Sequence, residues 1–465
     1  MPSATPASDT ILTPGAPFLG EPLAYDLAAA GYSNEEFFLA GTARSYAAAR
    51  GEARYRTRAV VRRPLAAGRF NGTVVVEWLN VSGGVDAGPD WSFTHRHLMR
   101  EGAAWVGVSA QRVGIEGGGF AAVSLPLKTV NAERYGTLEH PGDAYSFDVF
   151  SQVGRAVRSG ALLGGRSPGR VLAIGESQSA IFLVTYVNEV DPEAQVFDGF
   201  LIHGRGGIGA SLEGSMGVDR VSLGEAAAAV RKPGASPSPM AGSVRIRDDV
   251  RVPVLTVQSE TDVVGLGSAG ARQPDAERFR LWEIAGAAHA DTYLLIASAQ
   301  DDGTLPAGKL AALLAPTAEA YGMKMGEPMN SGPQQHYVLQ AALAHLERWA
   351  GGGAAPPSAP RLELADGASP FALDENGIAR GGLRSPWVDA PSAVLSGLGQ
   401  SGAEFAFLFG TTRELDADAR ARLYPGGRSE FLSRFEKATD EALAAGFLLE
   451  ADAAEIRALA GFTPW

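Results

Sequence analysis

The sequence contains no cysteine, and only seven of its 465 residues are histidine. The absence of cysteine excludes disulfide bonds, a thiolate nucleophile and cysteine-ligated zinc or iron–sulfur centres. No run of about 18 consecutive apolar residues occurs, which argues against a membrane-spanning helix. Basic residues are also few, 40 against 52 acidic ones. The resulting net charge of -12 argues against nucleic acid as a partner, because a phosphate backbone requires a basic surface.

The composition that remains is that of a globular protein. Hydrophobic residues make up 45% and charged residues 20% of the chain, which supplies enough apolar material for a sizeable core. The 58 glycines and 28 prolines indicate many tight turns. Residues Met1 to Pro6 show neither the basic nor the apolar region of a secretory signal, so we expect a cytoplasmic protein.

Short apolar runs, each ended by glycine, asparagine or proline, recur along the chain, and helical patterns at 146–163 and 179–190 separate the later ones. Near-continuous apolar strands that alternate with helices indicate a parallel sheet covered on both faces. We therefore predict an α/β fold with an eight-stranded, mostly parallel sheet. The predicted strands are residues 37–46, 55–61, 73–79, 105–109, 170–175, 197–203, 252–258 and 279–284.

Two stretches interrupt this alternation and divide the chain. Residues 204–250 are rich in glycine and proline and too long for a plain connection, which predicts a lid inserted in a catalytic domain of residues 21–350. The run Gly351 to Pro357 has linker composition, and we expect residues 351–465 to form a C-terminal extension packed on the core. Residues 1–20, rich in proline, alanine, serine and threonine, predict an N-terminal arm.

The strongest local motif is Gly175 to Ser179, with the sequence GESQS, which follows an apolar strand and opens an apolar helix. This is the context of a nucleophile elbow, G-x-S-x-G, in which a strained turn exposes the serine and requires small neighbours two positions away. Ser177 is then the nucleophile. Ser179 stands where a second glycine is usual, and it is small enough to preserve the turn. Taken alone, the motif also fits a serine that caps a helix.

A serine nucleophile needs a base that a carboxylate orients, and in this fold the chain order is serine, acid, histidine. His289 lies in a loop of small residues after the eighth predicted strand and is the predicted base. Two carboxylates follow the seventh strand: Asp262, whose register favours it as the acid, and Glu260, the alternative. Because the carboxyl ends of parallel strands meet at one edge, we expect these groups to lie near Ser177.

These motifs resemble those of the α/β-hydrolase superfamily over roughly residues 30–350. The resemblance is carried by Gly175–Ser179, Glu260–Asp262 and Trp282–Asp291, and it is narrower for a bacterial group of serine hydrolases described as α/β hydrolase domain. It implies that the chain hydrolyses small-molecule carboxylic esters through an acyl-enzyme, with no cofactor and no metal. Thioesterases, lactonases and amidases use the same triad and remain alternatives.

The oxyanion of such a reaction needs amide donors. The helix that begins at Gln178 aims one amide at the developing charge, and the loop after the third predicted strand is expected to supply a second from Asn80 or Val81. Four further residues near these strand ends are candidates for the substrate pocket: Trp78, Trp91, Glu176 and His203.

Two other classes of function are open at this point. Gly204 to Gly209 matches the G-x-G-x-x-G pattern of dinucleotide-binding proteins, but it follows the sixth predicted strand and no strand with an acidic end comes about 20 residues later. The second class is a non-catalytic binding module with a hydrolase fold, and the presence of all three triad members argues against it. His203 is a rival base, although no carboxylate follows it closely.

Overall fold

A computed structural model describes residues 3–6, 23–47, 50–119, 124–217, 242–366, 369–403, 405–463 and 465. The strands of the main sheet are β1 (Ser3–Pro6), β2 (Tyr32–Arg44), β3 (Glu52–Pro64), β4 (Thr73–Trp78), β5 (Ala104–Val108), β6 (Arg170–Glu176), β7 (Gly199–His203), β8 (Val254–Ser259) and β9 (Phe279–Ile284). Their order in the sheet is β1-β2-β3-β5-β4-β6-β7-β8-β9.

The sheet is antiparallel at one side and parallel over the rest. Strands β1, β2, β3 and β5 pair antiparallel, whereas β5, β4, β6, β7, β8 and β9 pair parallel. The predicted α/β fold and its eight strands are confirmed, with the first two strands beginning earlier than predicted. Strand β1 adds a ninth from the predicted N-terminal arm, of which residues 7–20 lie outside the described residues.

The central strands are apolar on both faces because helices cover both. In β4, Val75 packs into one hydrophobic layer, while Val74 and Val76 pack into the other. Helices α1 (Pro89–Glu101) and α9 (Gln334–Ala350) lie on the first face, and α5 (Ser146–Arg158) and α6 (Gln178–Thr185) lie on the second. The remaining helices, in chain order, are α2 (Arg112–Glu116), α3 (Leu127–Val130), α4 (Ala132–Tyr135), α7 (Asp191–Ala194), α8 (Ala307–Leu313), α10 (Pro386–Asp389), α11 (Ala417–Leu423), α12 (Arg428–Ala444) and α13 (Glu450–Ala460).

The parallel strands end together at one edge, which is where the site lies. Glu176, the last residue of β6, is in register with His203, the last residue of β7. Ser259 of β8 is likewise opposite Ile284 of β9. Side chains that follow these strand ends therefore gather in one place, as expected for a sheet of this kind.

Residues that follow α9 pack into one of the two hydrophobic layers of the main sheet. They include the antiparallel pair β12 (Ala393–Ser396) and β13 (Thr411–Glu414), and two short strands, β10 (Glu319–Ala320) and β11 (Met323–Lys324), precede them. Phe435 of α12 and Ile456 of α13 belong to the same buried cluster as Trp282 of β9. The division into a catalytic domain of residues 21–350 and an extension of residues 351–465 stays a prediction.

The predicted lid, residues 204–250, is described only in part. Residues 218–241 lie outside the described residues, and with them the helix-like pattern at 223–230. In the described parts, 204–217 and 242–250, the chain forms turns and bends. As far as the structure describes the chain, none of its helices is both long and apolar enough to cross a membrane.

Candidate active site

Ser177 occupies a strained turn between β6 and α6. Its backbone has φ 59° and ψ -119°, a conformation that residues other than glycine rarely adopt. The amide of Ser177 donates to the His203 carbonyl oxygen at 2.9 Å, and the Ile181 amide donates to the Ser177 carbonyl oxygen at 3.1 Å. A Cβ atom on Gly175 would lie only 3.2 Å from that of Ser179, which explains the small residues on both sides of the serine.

The imidazole of His289 lies between Ser177 and Asp262. Its Nε2 atom is 2.9 Å from Ser177 Oγ, and its Nδ1 atom is 2.6 Å from Asp262 Oδ1. The His289 amide donates to Thr261 Oγ1 at 3.2 Å, and Gln335 Nε2 donates to the His289 carbonyl oxygen at 3.3 Å. These two hydrogen bonds fix the backbone of His289, and its side chain is buried.

Asp262 lies in a π-helical turn, Thr261–Gly265, that follows β8 directly. Its Oδ2 atom accepts a hydrogen bond of 2.6 Å from the Ser259 amide, which leaves Oδ1 directed at His289. The carboxylate is fully buried. The structure therefore brings Asp262, and not Glu260, to the histidine.

Glu260 contacts backbone amides instead of the imidazole. Its Oε1 atom accepts from the Gly286 amide at 2.6 Å, and its Oε2 atom accepts from the Gly397 amide at 2.8 Å and from Ser396 Oγ at 3.1 Å. Burial raises the pKa of Glu260 to about 7, although these donors act in the opposite direction. Glu260 joins the loops that carry Asp262 and His289 to the C-terminal part of the chain.

Glu176, the residue before the serine, also contacts His289. Its Oε1 atom is 2.9 Å from His289 Nε2, and its Oε2 atom accepts from Asn80 Nδ2 at 3.0 Å. Burial by itself lowers the pKa of His289, but the Glu176 and Asp262 carboxylates outweigh burial and raise that pKa above its ordinary value. Two oxygen atoms, Ser177 Oγ and Glu176 Oε1, therefore share one imidazole nitrogen.

Two of the three predicted oxyanion donors border the same open space. Gln178 begins α6, where the first amides of a helix have no partner within the helix. Gln178 and Val81 both line a cavity of about 270 Å³. The Asn80 amide, by contrast, donates to the Ala87 carbonyl oxygen at 2.8 Å, and its side chain binds Glu176. The arrangement favours Val81 over Asn80 as the second amide donor.

Comparison with known proteins identifies the family of the chain. Residues 2–458 match a family whose description is "Alpha/beta hydrolase domain". The chain belongs to this family. The match extends over nearly the whole sequence, including the residues after α9. No curated protein matches the sequence.

Three solved esterases illustrate the hydrolase's structural neighbours. An esterase from Rhizomucor miehei is 12% identical, with 71% of this chain and 92% of that chain covered and a TM-score of 0.34. A thermostable esterase from Pseudomonas putida is 12% identical, with 70% and 86% covered and a TM-score of 0.32. An esterase from the archaeon Pyrobaculum calidifontis is 14% identical, with 55% and 77% covered and a TM-score of 0.27. Membership of the family rests on the match over residues 2–458.

The cavity beside the elbow of this hydrolase is partly apolar and partly polar. Residues from five places surround it: the loop after β4, the segment after β5, the turn before α5, helix α6 and the beginning of the predicted lid. Its main side chains are Val81, Gln111, Val113, Gln178, Phe182 and Met216. At about 270 Å³ it lies near the lower end of the usual range of ligand pockets, roughly 300–1,000 Å³, and suits a compact group.

Trp78 and Trp91, expected at the substrate pocket, are core side chains in the hydrolase. Trp78 packs against Phe150 and Phe182, and its Nε1 atom donates to Gln111 Oε1. Trp91 packs against Trp105 with a ring separation of 5.3 Å. Both tryptophans are fully buried because their strand and helix face the packed layers of the sheet.

The imidazole of His203 contacts a carboxyl group outside the proposed triad. Its Nδ1 atom is 2.9 Å from Asp90 Oδ1, and burial lowers the pKa of His203 to about 4 despite the nearby Glu176 and Asp262. The rival base is therefore paired with a buried carboxyl group on α1. That carboxyl group belongs to Asp90, a residue that no sequence pattern indicated.

The glycine-rich segment after β7, which matches a dinucleotide-binding pattern, packs against His289 in the structure. A Cβ atom on Gly204, which has a φ of 59°, would lie 3.2 Å from Cε1 of His289. The described residues that follow, 210–217, form turns instead of the helix that a dinucleotide site requires. In the described parts of the chain, no group of three His, Asp or Glu side chains is arranged to hold a metal ion.

Proposed function

We propose that this hydrolase cleaves carboxylic esters by a serine mechanism. The observation that carries the proposal is the series of hydrogen bonds from Ser177 through His289 to Asp262, built on the strained turn at Ser177. A serine hydroxyl is a weak nucleophile, and it is activated by a base within hydrogen-bond reach that a carboxylate orients. All three side chains lie outside the carboxyl ends of parallel strands, where such folds carry their active sites.

The proposed reaction has two halves that use the same groups. Ser177 Oγ attacks the carbonyl carbon while its proton passes to His289 Nε2, and Asp262 stabilises the imidazolium that forms. The tetrahedral intermediate then loses the alcohol, which takes the proton from Nε2. Water attacks the acyl group on Ser177 in the same way and gives a proton to His289 Nε2. The second tetrahedral intermediate then releases the carboxylic acid, and Ser177 Oγ takes the proton back from Nε2.

The negative charge on the intermediate is assigned to backbone amides. We expect the Gln178 amide, at the positive end of α6, and the Val81 amide to donate to it. One part of the substrate, a compact acyl or alcohol group, would occupy the adjoining cavity of about 270 Å³. The proposal therefore includes a preference for small ester substrates.

Labelling with a fluorophosphonate tests the nucleophile independently of the substrate. The reagent bonds to an activated serine oxygen with loss of fluoride, and we expect a single labelled peptide that contains Ser177. The variant Ser177→Ala should not be labelled. Ser179→Ala is the matched control, because it removes a buried hydroxyl two positions away and keeps the elbow small. Absence of labelling in the folded wild-type protein would favour the non-catalytic binding module.

A substrate panel decides the reaction class. Chromogenic esters from acetate to aromatic acids, together with a thioester, a lactone and an anilide, should be assayed with the wild type and Ser177→Ala. We expect the oxygen esters to have the highest kcat/KM. A higher value for the thioester, lactone or anilide would replace ester hydrolysis by that activity on the same triad.

A further inference from the structure

One nitrogen atom of His289 has two oxygen neighbours at the same distance. Ser177 Oγ and Glu176 Oε1 both lie 2.9 Å from Nε2. A lone pair on Nε2 suits the serine hydroxyl, which donates, but it repels an ionised carboxylate at hydrogen-bond distance. The close approach of the ionised Glu176 carboxylate is favourable if the imidazole is protonated, because the two groups then form an ion pair. The resting arrangement therefore contains one proton more than the base form of the triad.

The position of Glu176 is fixed by its other contacts. Asn80 Nδ2 donates to Oε2 at 3.0 Å and to the Glu176 carbonyl oxygen at 3.1 Å, so that Oε1 is left for the imidazole. Gly204 packs beside both groups, because a Cβ atom there would lie 3.3 Å from His289 Nδ1 and 3.6 Å from Glu176 Oε1. The Glu176 side chain is only 6% exposed, so water screens the pair little.

We propose that Glu176 is a second carboxylate partner of His289, which holds a proton at Nε2 in the resting site and leaves His289 able to act as the base only after that proton has departed. This inference rests on the proposed serine mechanism, because it concerns the atom that accepts the serine proton. The extra proton is lost to solvent before Ser177 Oγ transfers its own proton to the vacated Nε2. A proton from solvent returns to Nε2 after the acid has left, so no other reactant is consumed.

Among the other charged groups near the imidazole, Asp262 also favours the protonated ring, but it acts at Nδ1. Asp262 faces Nδ1 from the turn after β8, where it has the place of the acid in a serine triad. His203 on β7 has a pKa lowered to about 4, mainly by burial, and is neutral near pH 7. Asp90 on α1 pairs with His203, and burial together with Glu176 raises its pKa well above the ordinary value. Glu77 on β4 is bonded to Trp105 and to two amides.

The sign of the effect follows from charge. A carboxylate beside Nε2 favours the protonated imidazole and raises the pKa of His289, as Asp262 also does after the opposing effect of burial. Because only neutral His289 accepts the serine proton, activity should rise with pH as His289 loses its proton. Removal of the Glu176 charge should move this acid limb to lower pH, by about 1–3 pH units for a carboxylate in contact.

The test compares the pH dependence of kcat/KM in the wild type, Glu176→Gln and Glu189→Gln. Glu189 is exposed at the end of the helical segment that follows Ser177, so its substitution removes the same charge from the same part of the chain. We expect the acid limb of Glu176→Gln to lie at least about one pH unit below that of the wild type. The limb of Glu189→Gln should coincide with the wild-type limb. Coincidence of all three limbs would overturn the proposal.

A spectroscopic measurement keeps the proposal testable if Glu176→Gln does not fold. In wild-type protein labelled with ¹⁵N-histidine, the His289 ring nitrogens should titrate above the ordinary value of about 6.5. The Ser177→Ala variant identifies activity that depends on the serine mechanism. Serine-dependent hydrolysis with a His289 pKa at or below the ordinary value would refute the role of Glu176 alone. Absence of serine-dependent hydrolysis at every pH would instead refute the proposed function.

Discussion

The amide of Gly397 donates a hydrogen bond of 2.8 Å to the carboxylate of Glu260, a residue 137 positions earlier in the chain. The Gly397 carbonyl oxygen in turn accepts from Thr261 Oγ1 at 2.6 Å. Thr261 is adjacent to Asp262, and its Oγ1 atom also accepts from the His289 amide. A peptide far along the chain therefore braces the two loops that carry the proposed acid and base.

This close packing predicts that residue 397 must lack a side chain for the two loops to keep their positions. A Cβ atom there would lie 2.5 Å from the Ala287 carbonyl oxygen and 2.6 Å from the Glu260 Cβ atom, distances that require the backbone to move. We expect Gly397→Ala to lower the free energy of unfolding by about 1–3 kcal/mol and to lower kcat as the loops separate. Urea unfolding and ester kinetics measure the two effects.

Gly68→Ala is the control for this experiment. A Cβ atom on Gly68 meets nothing within 4 Å, and the residue lies in a short 3₁₀ turn far from the site in sequence. Its free energy of unfolding should stay within about 0.5 kcal/mol of the wild-type value. Equal stability and equal kcat for Gly397→Ala and the wild type would show that the brace is dispensable.

The two acidic residues after β8 should differ in the kind of damage that their loss causes. Asp262→Asn removes the charge that orients His289, and by analogy with the serine protease triad kcat should fall on the order of 10⁴-fold near neutral pH. Glu260→Gln places an amide group against the Gly286 or Gly397 amide, and leaving such a donor unpaired costs about 1–3 kcal/mol of stability.

Kinetics and urea unfolding of both variants, measured side by side, therefore separate the roles. Asp262→Asn should be slow and nearly as stable as the wild type. Glu260→Gln should be less stable, with a far smaller loss of kcat. The reverse pattern in two folded variants would make Glu260 the catalytic acid.

The strained backbone at Ser177 predicts a stability difference between two inactive variants. Ser177→Ala and Ser177→Gly should both lower kcat by about 10³-fold or more, because each lacks the nucleophile. At a φ of 59° and a ψ of -119°, glycine relieves strain of about 1–3 kcal/mol, of which its larger loss of chain entropy offsets about 0.5–1 kcal/mol. Urea unfolding should find the glycine variant more stable than the alanine variant. A less stable glycine variant would show that the turn is not strained.

The cavity predicts opposite changes in substrate preference for two of its lining residues. Val113→Phe reduces the space and should lower kcat/KM for bulky esters by about 10-fold relative to acetate. Met216→Ala enlarges the space and should improve bulky esters relative to acetate. The ratio of the two kcat/KM values measures this preference and cancels differences in enzyme concentration. Unchanged ratios in both variants would show that the substrate lies elsewhere.

The local parts of the molecule were predictable because neighbouring residues determine them. Apolar runs ended by turn residues indicated all eight of the longer strands, and the elbow sequence around Ser177 has a local steric cause. The order of Asp262 and His289 along the chain then indicated which strand ends carry them. Here the sequence pattern and the geometry of a parallel sheet give the same answer.

The contacts between distant segments were not predictable from local patterns. Nothing in the sequence around Gly397 indicates that it meets Glu260, and nothing around Asp90 indicates that it pairs with His203. Glu176 was expected only to border the substrate, although its place beside Ser177 and at the end of β6 directs it toward the histidine. Trp78 was misplaced because an aromatic residue at a strand end has the same pattern whether it faces a pocket or the core.

The brace at Gly397 also has a consequence for the order in which the site matures during synthesis. A ribosome makes the chain from its N-terminus, so Ser177, Asp262 and His289 all emerge well before residues 396 and 397. Contacts between such distant segments are slow to form because a long loop must close first. A nascent chain that extends just past His289 therefore carries all three proposed triad residues without the brace at Gly397. Newly made protein should gain esterase activity only after the last quarter of the chain has folded into place.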